Sequence, residues 1–241
     1  ISEIINQNKG IDFAINSNVT FDAAKQNYKK VLNWTTKPSY QDEEAGQVVF
    51  RANNNYKEID FDLFKHLPRE VAEKIKTNFP STMEFGRNAD GHAVYKIINP
   101  IHDTKRIYLG DKCLLEYRGL GTYSIAAGKL DNYSKATFNG ISQAKEIEDK
   151  KLYKLFQYAA ALAQLYLITS KHETWNNVII SYAGECKEHG LDLEFTKKIF
   201  TECLELHGRE DREKETIKSI EGIYNSEGNS NIFSKIYSIP I

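Results

Sequence analysis

The sequence predicts an α+β fold in which a strand-rich part precedes a C-terminal helix bundle. Three observations carry this reading. Short apolar runs alternating with polar residues recur between residues 47 and 126, separated by Asn-, Gly- and Pro-containing turn signals. From about Glu148 the strand signals fade and apolar residues recur at three- and four-residue spacings. The 241 residues are 41% hydrophobic and 12% aromatic with a net charge of −1, the make-up of a globular chain that can build one good core or two modest domains. The shift in pattern puts a boundary within residues 140–149, giving a first domain of residues 1–147 and a second of residues 148–241.

The first expected element is a helix over residues 21–33, with Thr20 as its cap and Asp22 in its first turn. Residues 35–44, around Lys37-Pro38-Ser39, read as loop. Residues 47–51 read as extended, and Asn53-Asn54-Asn55 as a turn before the acidic run at 58–63. Pro68 opens a helix over residues 69–78, closed by Phe79-Pro80. Strands follow near 82–85, 92–98, 105–108, 113–118 and 122–126, with helices covering one sheet face and leaving the other for chemistry. The bundle comprises helices over 150–169, 173–189, 193–207 and 210–224, two of them ended by Gly190 and Gly208, and a short last piece at 232–237.

Bulk properties exclude some classes. A net charge of −1 advertises no general affinity for nucleic acid, so any such contact is a local patch whose strength falls with salt. Cys113, Cys186 and Cys203 lie far apart without a CxxC pair, which argues against a zinc site or a disulfide scaffold and for a reducing, cytoplasmic setting. Core filling is their expected role. The longest apolar run, residues 152–168, is interrupted by Lys154, Gln157 and Gln164 and is too short for a membrane span. The chain shows no secretory signal at its start, begins with Ile and ends in Ser-Ile-Pro-Ile, so it reads as a segment of a longer protein. His66, His102, His172, His189 and His207 have no metal spacing and read as surface residues; Trp175 reads as core, and the charges at 210–215 as a solvated helix face.

The informative stretch is Glu58-Ile59-Asp60-Phe61-Asp62-Leu63. In extended backbone Ile59, Phe61 and Leu63 enter a core while Asp60 and Asp62 point together to the other side. Paired carboxylates suit a hard divalent ion such as Mg²⁺ or Mn²⁺, and a solvated edge strand is the competing explanation. Glu58 shares their face and reads as a bystander. Downstream, Phe85-Gly86-Arg87 leads through a polar turn into a strand that puts His92, Val94 and Lys96 on one face. A further strand, Cys113 to Arg118, puts Leu114, Glu116 and Arg118 on one face before a Gly119-Leu120-Gly121 turn. As neighbours in one sheet, these strands would present Asp60, Asp62 and Glu116 beside His92, Lys96 and Arg118: acids for metal, bases for a triphosphate.

The order hhDhDhh, then Phe-Gly-Arg with a His-led strand, then Leu-Leu-Glu-x-Arg-Gly resembles the archaeo-eukaryotic primase superfamily, closest to the primase-polymerases of plasmids, viruses and mobile elements. It covers residues 48–133 by motif. The resemblance implies an RRM-like catalytic sheet followed by a helical domain that grips template and initiating nucleotide. It implies a DNA primase or polymerase that uses two divalent ions, Mg²⁺ or Mn²⁺, to synthesise or extend primers on single-stranded DNA from nucleoside triphosphates. A helicase in the parent protein or as a partner would accompany it. Asp60 and Asp62 match the first acidic motif, Glu116 the third, and His92 the histidine of the second. Asp90 stands where many members carry Ser. His92, Arg87, Lys96 and Arg118 would hold the nucleotide; Tyr123 and Tyr133 could serve as platforms for a base or sugar, with core or turn packing the favoured reading for both. Two readings remain beside this one: a metal-dependent nuclease, and a replication-associated nucleic-acid-binding module without activity.

Overall fold

The computed structural model describes residues 2–16, 20–22, 27–29, 47–87, 91–129, 135–170 and 175–226. The fold is α+β. The N-terminal elements are α1 (Ser2–Gln7), β1 (Asp12–Asn16) and a two-stranded pair, β2 (Thr20–Asp22) and β3 (Asn27–Lys29). Of the helix expected over 21–33, the described residues 21–22 and 27–29 are strand instead: Thr20 aligns with Lys29 and Phe21 with Tyr28, and the strand preference of Thr, Phe and Tyr prevails there over the cap-like Thr-Phe-Asp signal. The expected loop at 35–44 lies outside the described residues.

Next come β4 (Gln47–Arg51) and β5 (Tyr56–Asp60), joined by the expected asparagine turn. In it the Asn53 side-chain carbonyl accepts from the backbone N–H of Asn55 at 2.8 Å and of Tyr56 at 2.9 Å. A 3₁₀ turn (Asp62–Lys65) and α2 (Arg69–Lys76) follow, then β6 (Met83–Gly86), β7 (His92–Ile98), β8 (Lys105–Leu109), β9 (Lys112–Arg118), β10 (Tyr123–Lys129), β11 (Lys135–Phe138) and β12 (Lys145–Glu148). The helical part comprises α3 (Asp149–Thr169), α4 (Trp175–Glu188), α5 (Leu193–Leu206) and, after a 3₁₀ turn, α6 (Glu213–Asn225). The piece expected at 232–237 lies outside the described residues.

Ten strands form one sheet in the order β1-β4-β10-β11-β6-β7-β5-β9-β8, with β12 added alongside β7. The pairings with a described register are antiparallel except the last: β12 runs parallel to β7, taking over from β6 along the same edge. The chain divides into two compact units. The first holds residues 1–62, 79–106 and 115–153; the second holds 63–78, 107–114 and 154–241. The last change of unit along the chain falls at Tyr153/Lys154, and α2 belongs to the helical unit.

In the first unit one sheet face buries Phe13, Phe50, Tyr56, Met83, Phe85, Val94 and Ala126. Phe13 meets Phe50 edge-on with ring centroids 5.8 Å apart, and Phe50 meets Phe85 at 5.9 Å. On the opposite face a buried ion pair joins Lys57 Nζ to Asp149 Oδ1 at 2.7 Å. The same carboxylate also accepts from the Tyr117 hydroxyl and from the backbone N–H groups of Ile101 and His102. His102, expected at the surface, is half-buried: its Nδ1 lies 2.7 Å from Asp149 and its ring stacks on Tyr153 at 3.9 Å.

The second unit buries Phe156, Trp175, Tyr182, Ile199, Phe200, Cys203, Leu204 and Ile220 among its helices. The Trp175 indole donates to Thr216 Oγ1 at 3.2 Å, and the Tyr182 hydroxyl to the Ala161 carbonyl at 2.9 Å. Asp192 caps α5 by accepting from the Phe195 N–H at 2.7 Å. Cys186 and Cys203 are buried, as expected of core-filling thiols. Among the described residues, no helix is long and apolar enough to cross a membrane.

Candidate functional site

Three adjacent strands of the first unit build the site. Antiparallel pairing sets Asp60 opposite His92 on one side and opposite Glu116 on the other. Two residues back, Glu58 stands opposite Val94 and Arg118. Residues directly opposite in a sheet share a face, so Glu58, Asp60, His92, Glu116 and Arg118 converge on the face that carries Tyr56 and the phenylalanine core. Phe85 closes one flank, its ring stacked on His92 with centroids 5.1 Å apart.

Arg118 ties the group together. Its Nη2 lies 2.5 Å from Asp60 Oδ2, its Nη1 3.1 Å from Glu58 Oε1, and its Nε 2.7 Å from Glu116 Oε2; Nη1 also donates to the Ser124 hydroxyl. Glu58 Oε1 accepts from Ser124 Oγ at 2.7 Å and lies 2.8 Å from His92 Nδ1, which is 3.5 Å from Asp60. Arg106 reaches Glu116 Oε1 at 3.2 Å.

These environments push neighbouring carboxyls in opposite directions. Burial would raise both, and at Asp60 it prevails: with Asp62 and Glu58 nearby, its pKa rises to about 6 despite His92 and Arg118. At Glu58 burial is outweighed by the charge and hydrogen bond of His92 and by Arg118, leaving the carboxyl below its usual range. Glu116 is likewise lowered, because Arg118 and Arg106 overcome its burial. His92 is raised, since Glu58 and Asp60 outweigh the cost of burying its cation.

Asp62 departs from the expected geometry. The strand stops at Asp60, and Asp62 opens the 3₁₀ turn, a position that favours an acidic side chain. It nevertheless offers a carboxylate oxygen within 4.8 Å of one from Glu116, while Glu58, Asp60 and His92 offer ligand atoms within the same mutual limit. The structure therefore places Asp62 beside Glu116 through an end-of-strand turn, while Asp60 keeps its nearest ligand atoms with Glu58 and His92. Phe61 and Leu63 are buried, as expected.

The expected nucleotide contacts fare unevenly. His92 and Arg118 belong to the cluster. Lys96 does not: it is exposed four residues further along β7 and pairs with Glu146 at 2.8 Å, because β12 brings that acid alongside it. Arg87 is exposed on the turn after β6, and Tyr123 is half-buried at the start of β10. Asp90 and Tyr133 lie outside the described residues. Three participants escaped the sequence reading. Glu58 is fully buried and bonded to His92, Ser124 and Arg118 rather than a bystander. Its alternation with Asp60 was the available signal. Ser124 and Arg106 carry no motif and are found only through strand order.

The donor set suits a hard cation. Four carboxylates, Glu58, Asp60, Asp62 and Glu116, gather with Arg106, Arg118 and His92, and burial raises the Asp60 pKa to about 6. Within the first unit the ligand atoms are carboxylate oxygens with one imidazole, and Glu58 Oε2 is buried without a hydrogen-bond partner. Comparison of the chain with models of known protein families and with curated proteins gives no match.

Proposed function

We propose that the chain is a metal-dependent nucleotidyltransferase of the primase-polymerase type, acting on single-stranded DNA with nucleoside triphosphates, and that its sheet is the RRM-like platform such an enzyme uses. The observation that carries this reading is the register of β7, β5 and β9, which brings Asp60 between His92 and Glu116 with Asp62 at the adjoining turn. Asp60, Asp62 and Glu116 would hold two divalent ions, Mg²⁺ or Mn²⁺, which when bound activate the attacking 3′-hydroxyl and neutralise the triphosphate.

The remaining work falls to side chains of this chain. Glu58 holds His92 through Nδ1, which leaves Nε2 as the imidazole nitrogen for a phosphate oxygen. Phe85 fixes the ring plane by stacking. Arg106, on the outer side of Glu116 and half-exposed, adds to Arg118 in keeping that carboxylate ionised and supplies a cation toward incoming phosphates. Phosphoryl transfer asks the protein mainly for positioning and charge stabilisation, which this arrangement offers.

The test is extension of a primed single-stranded template with Mn²⁺ and either nucleotide type. Asp60→Ala, Asp62→Ala and Glu116→Ala should each lower the rate by about 10³-fold or more with the fold retained. Near-normal extension by any of them refutes the assignment. Shortened template in place of lengthened primer would make the chain a nuclease.

A further inference from the structure

We infer that Arg118 is a built-in counter-ion that holds the acidic cluster together and surrenders Asp60 when a divalent cation binds, turning its freed arm onto Glu58. The inference rests on the metal-dependent reading above and adds to it how the site is kept assembled and how it is loaded.

Arg118 uses a different nitrogen for each carboxylate: Nη2 for Asp60, Nη1 for Glu58 and Nε for Glu116. Only Nη2 touches Asp60. A hard divalent cation draws carboxylate oxygens to about 2.0–2.6 Å, and Asp60 Oδ2 already has Nη2 at 2.5 Å. Two positive centres on one oxygen in a largely buried site repel strongly, so a cation that takes Oδ2 displaces Nη2 from it.

The arm that yields has a place to go. Glu58 Oε1 already accepts from Nη1, and its other oxygen, Oε2, is buried with no hydrogen-bond partner. A small turn of the guanidinium plane converts the single bond to Glu58 into a fork-on-fork pair, the preferred geometry of arginine with a carboxylate. Nε stays on Glu116 throughout. Arg118 therefore has two arrangements, one closed over Asp60 and one closed on Glu58, and the cation selects between them. Glu58, on this account, is the positioning residue that makes the exchange inexpensive.

The experiment measures Mn²⁺ binding by electron paramagnetic resonance on the full chain, alongside melting in chelator and in Mn²⁺. The wild type, Arg118→Gln and Glu58→Gln are compared. With its competitor removed, Arg118→Gln should bind Mn²⁺ about tenfold more tightly or better, melt at a lower temperature in chelator, and regain stability with Mn²⁺ by more than the wild type does. Glu58→Gln should bind Mn²⁺ more weakly than the wild type. Wild-type binding that Arg118→Gln leaves unchanged or weakens overturns the exchange and spares the metal site. No Mn²⁺ binding by either protein overturns the metal reading itself. Should Arg118→Gln fail to fold, side-chain ¹⁵N spectra of the wild type with Mg²⁺ decide. The Arg118 Nη signals should move while the Nε–H bonded to Glu116 persists; signals unmoved at saturating Mg²⁺ overturn the inference.

Discussion

Asp60 and Glu58, two positions apart on one face, respond oppositely to loss of charge. Glu58 is stabilised as an anion by His92, Arg118 and Ser124, so Glu58→Ala leaves buried cations without their partner and should cost about 3–5 kcal/mol in denaturant unfolding. Asp60 has a pKa raised to about 6, so its ionisation opposes folding. Its contribution is most favourable below the unfolded carboxyl range, near pH 4, and is lost as pH rises through about 6. Asp60→Asn should therefore raise stability above pH 6 by roughly 1–2 kcal/mol when metal is absent, and have little effect near pH 4. Melting in chelator at the two pH values checks this; equal shifts at both would contradict it. Such stabilisation, found together with loss of the proposed primer extension, would mark Asp60 as a residue kept for its chemistry.

Among the elements, β5 lies at the centre of the site between β7 and β9, and its other face is fixed by Lys57 against Asp149 at 2.7 Å. Lys57→Met leaves the Asp149 charge supported only by neutral donors and His102, and should cost about 3–5 kcal/mol; adding Asp149→Asn should recover part of that loss in a double-mutant cycle. The elements also mark how much was legible in the sequence. Residues 47–51 and 92–98 matched β4 and β7 residue for residue, because strong apolar alternation meets clear turn signals there. β12, Lys-Glu-Ile-Glu, buries only Ile147 and is a strand solely because β7 offers it a parallel edge, a fact of tertiary structure. At the site, alternation was enough to gather Asp60, His92 and Glu116 on one face. It could not reveal which side chains exchange bonds, so Glu58 was passed over and Lys96 was included. For Asp62, alternation was carried one turn past the true end of the strand.

For the whole molecule, the shifted groups of this site pull the pH of greatest stability below neutrality. Glu58 and Glu116, with lowered pKa values, contribute stability that is present above about pH 4.5 and lost as pH falls. Asp60 and His92, both raised, contribute stability that is lost as pH rises through about 6 and beyond. The melting temperature without metal should therefore peak between about pH 4.5 and 6, and saturating Mn²⁺ should move the peak toward neutrality. A metal-free profile that rises steadily to pH 8 would contradict the balance of charges described. Bearing an anion row on one side and a lysine on the other has a last effect on β5. A one-residue slip in one direction would bring Lys57 up to Arg118, and a slip in the other would bring Glu58 up to Asp149, each setting like against like. The strand thus proofreads its own alignment as the chain folds.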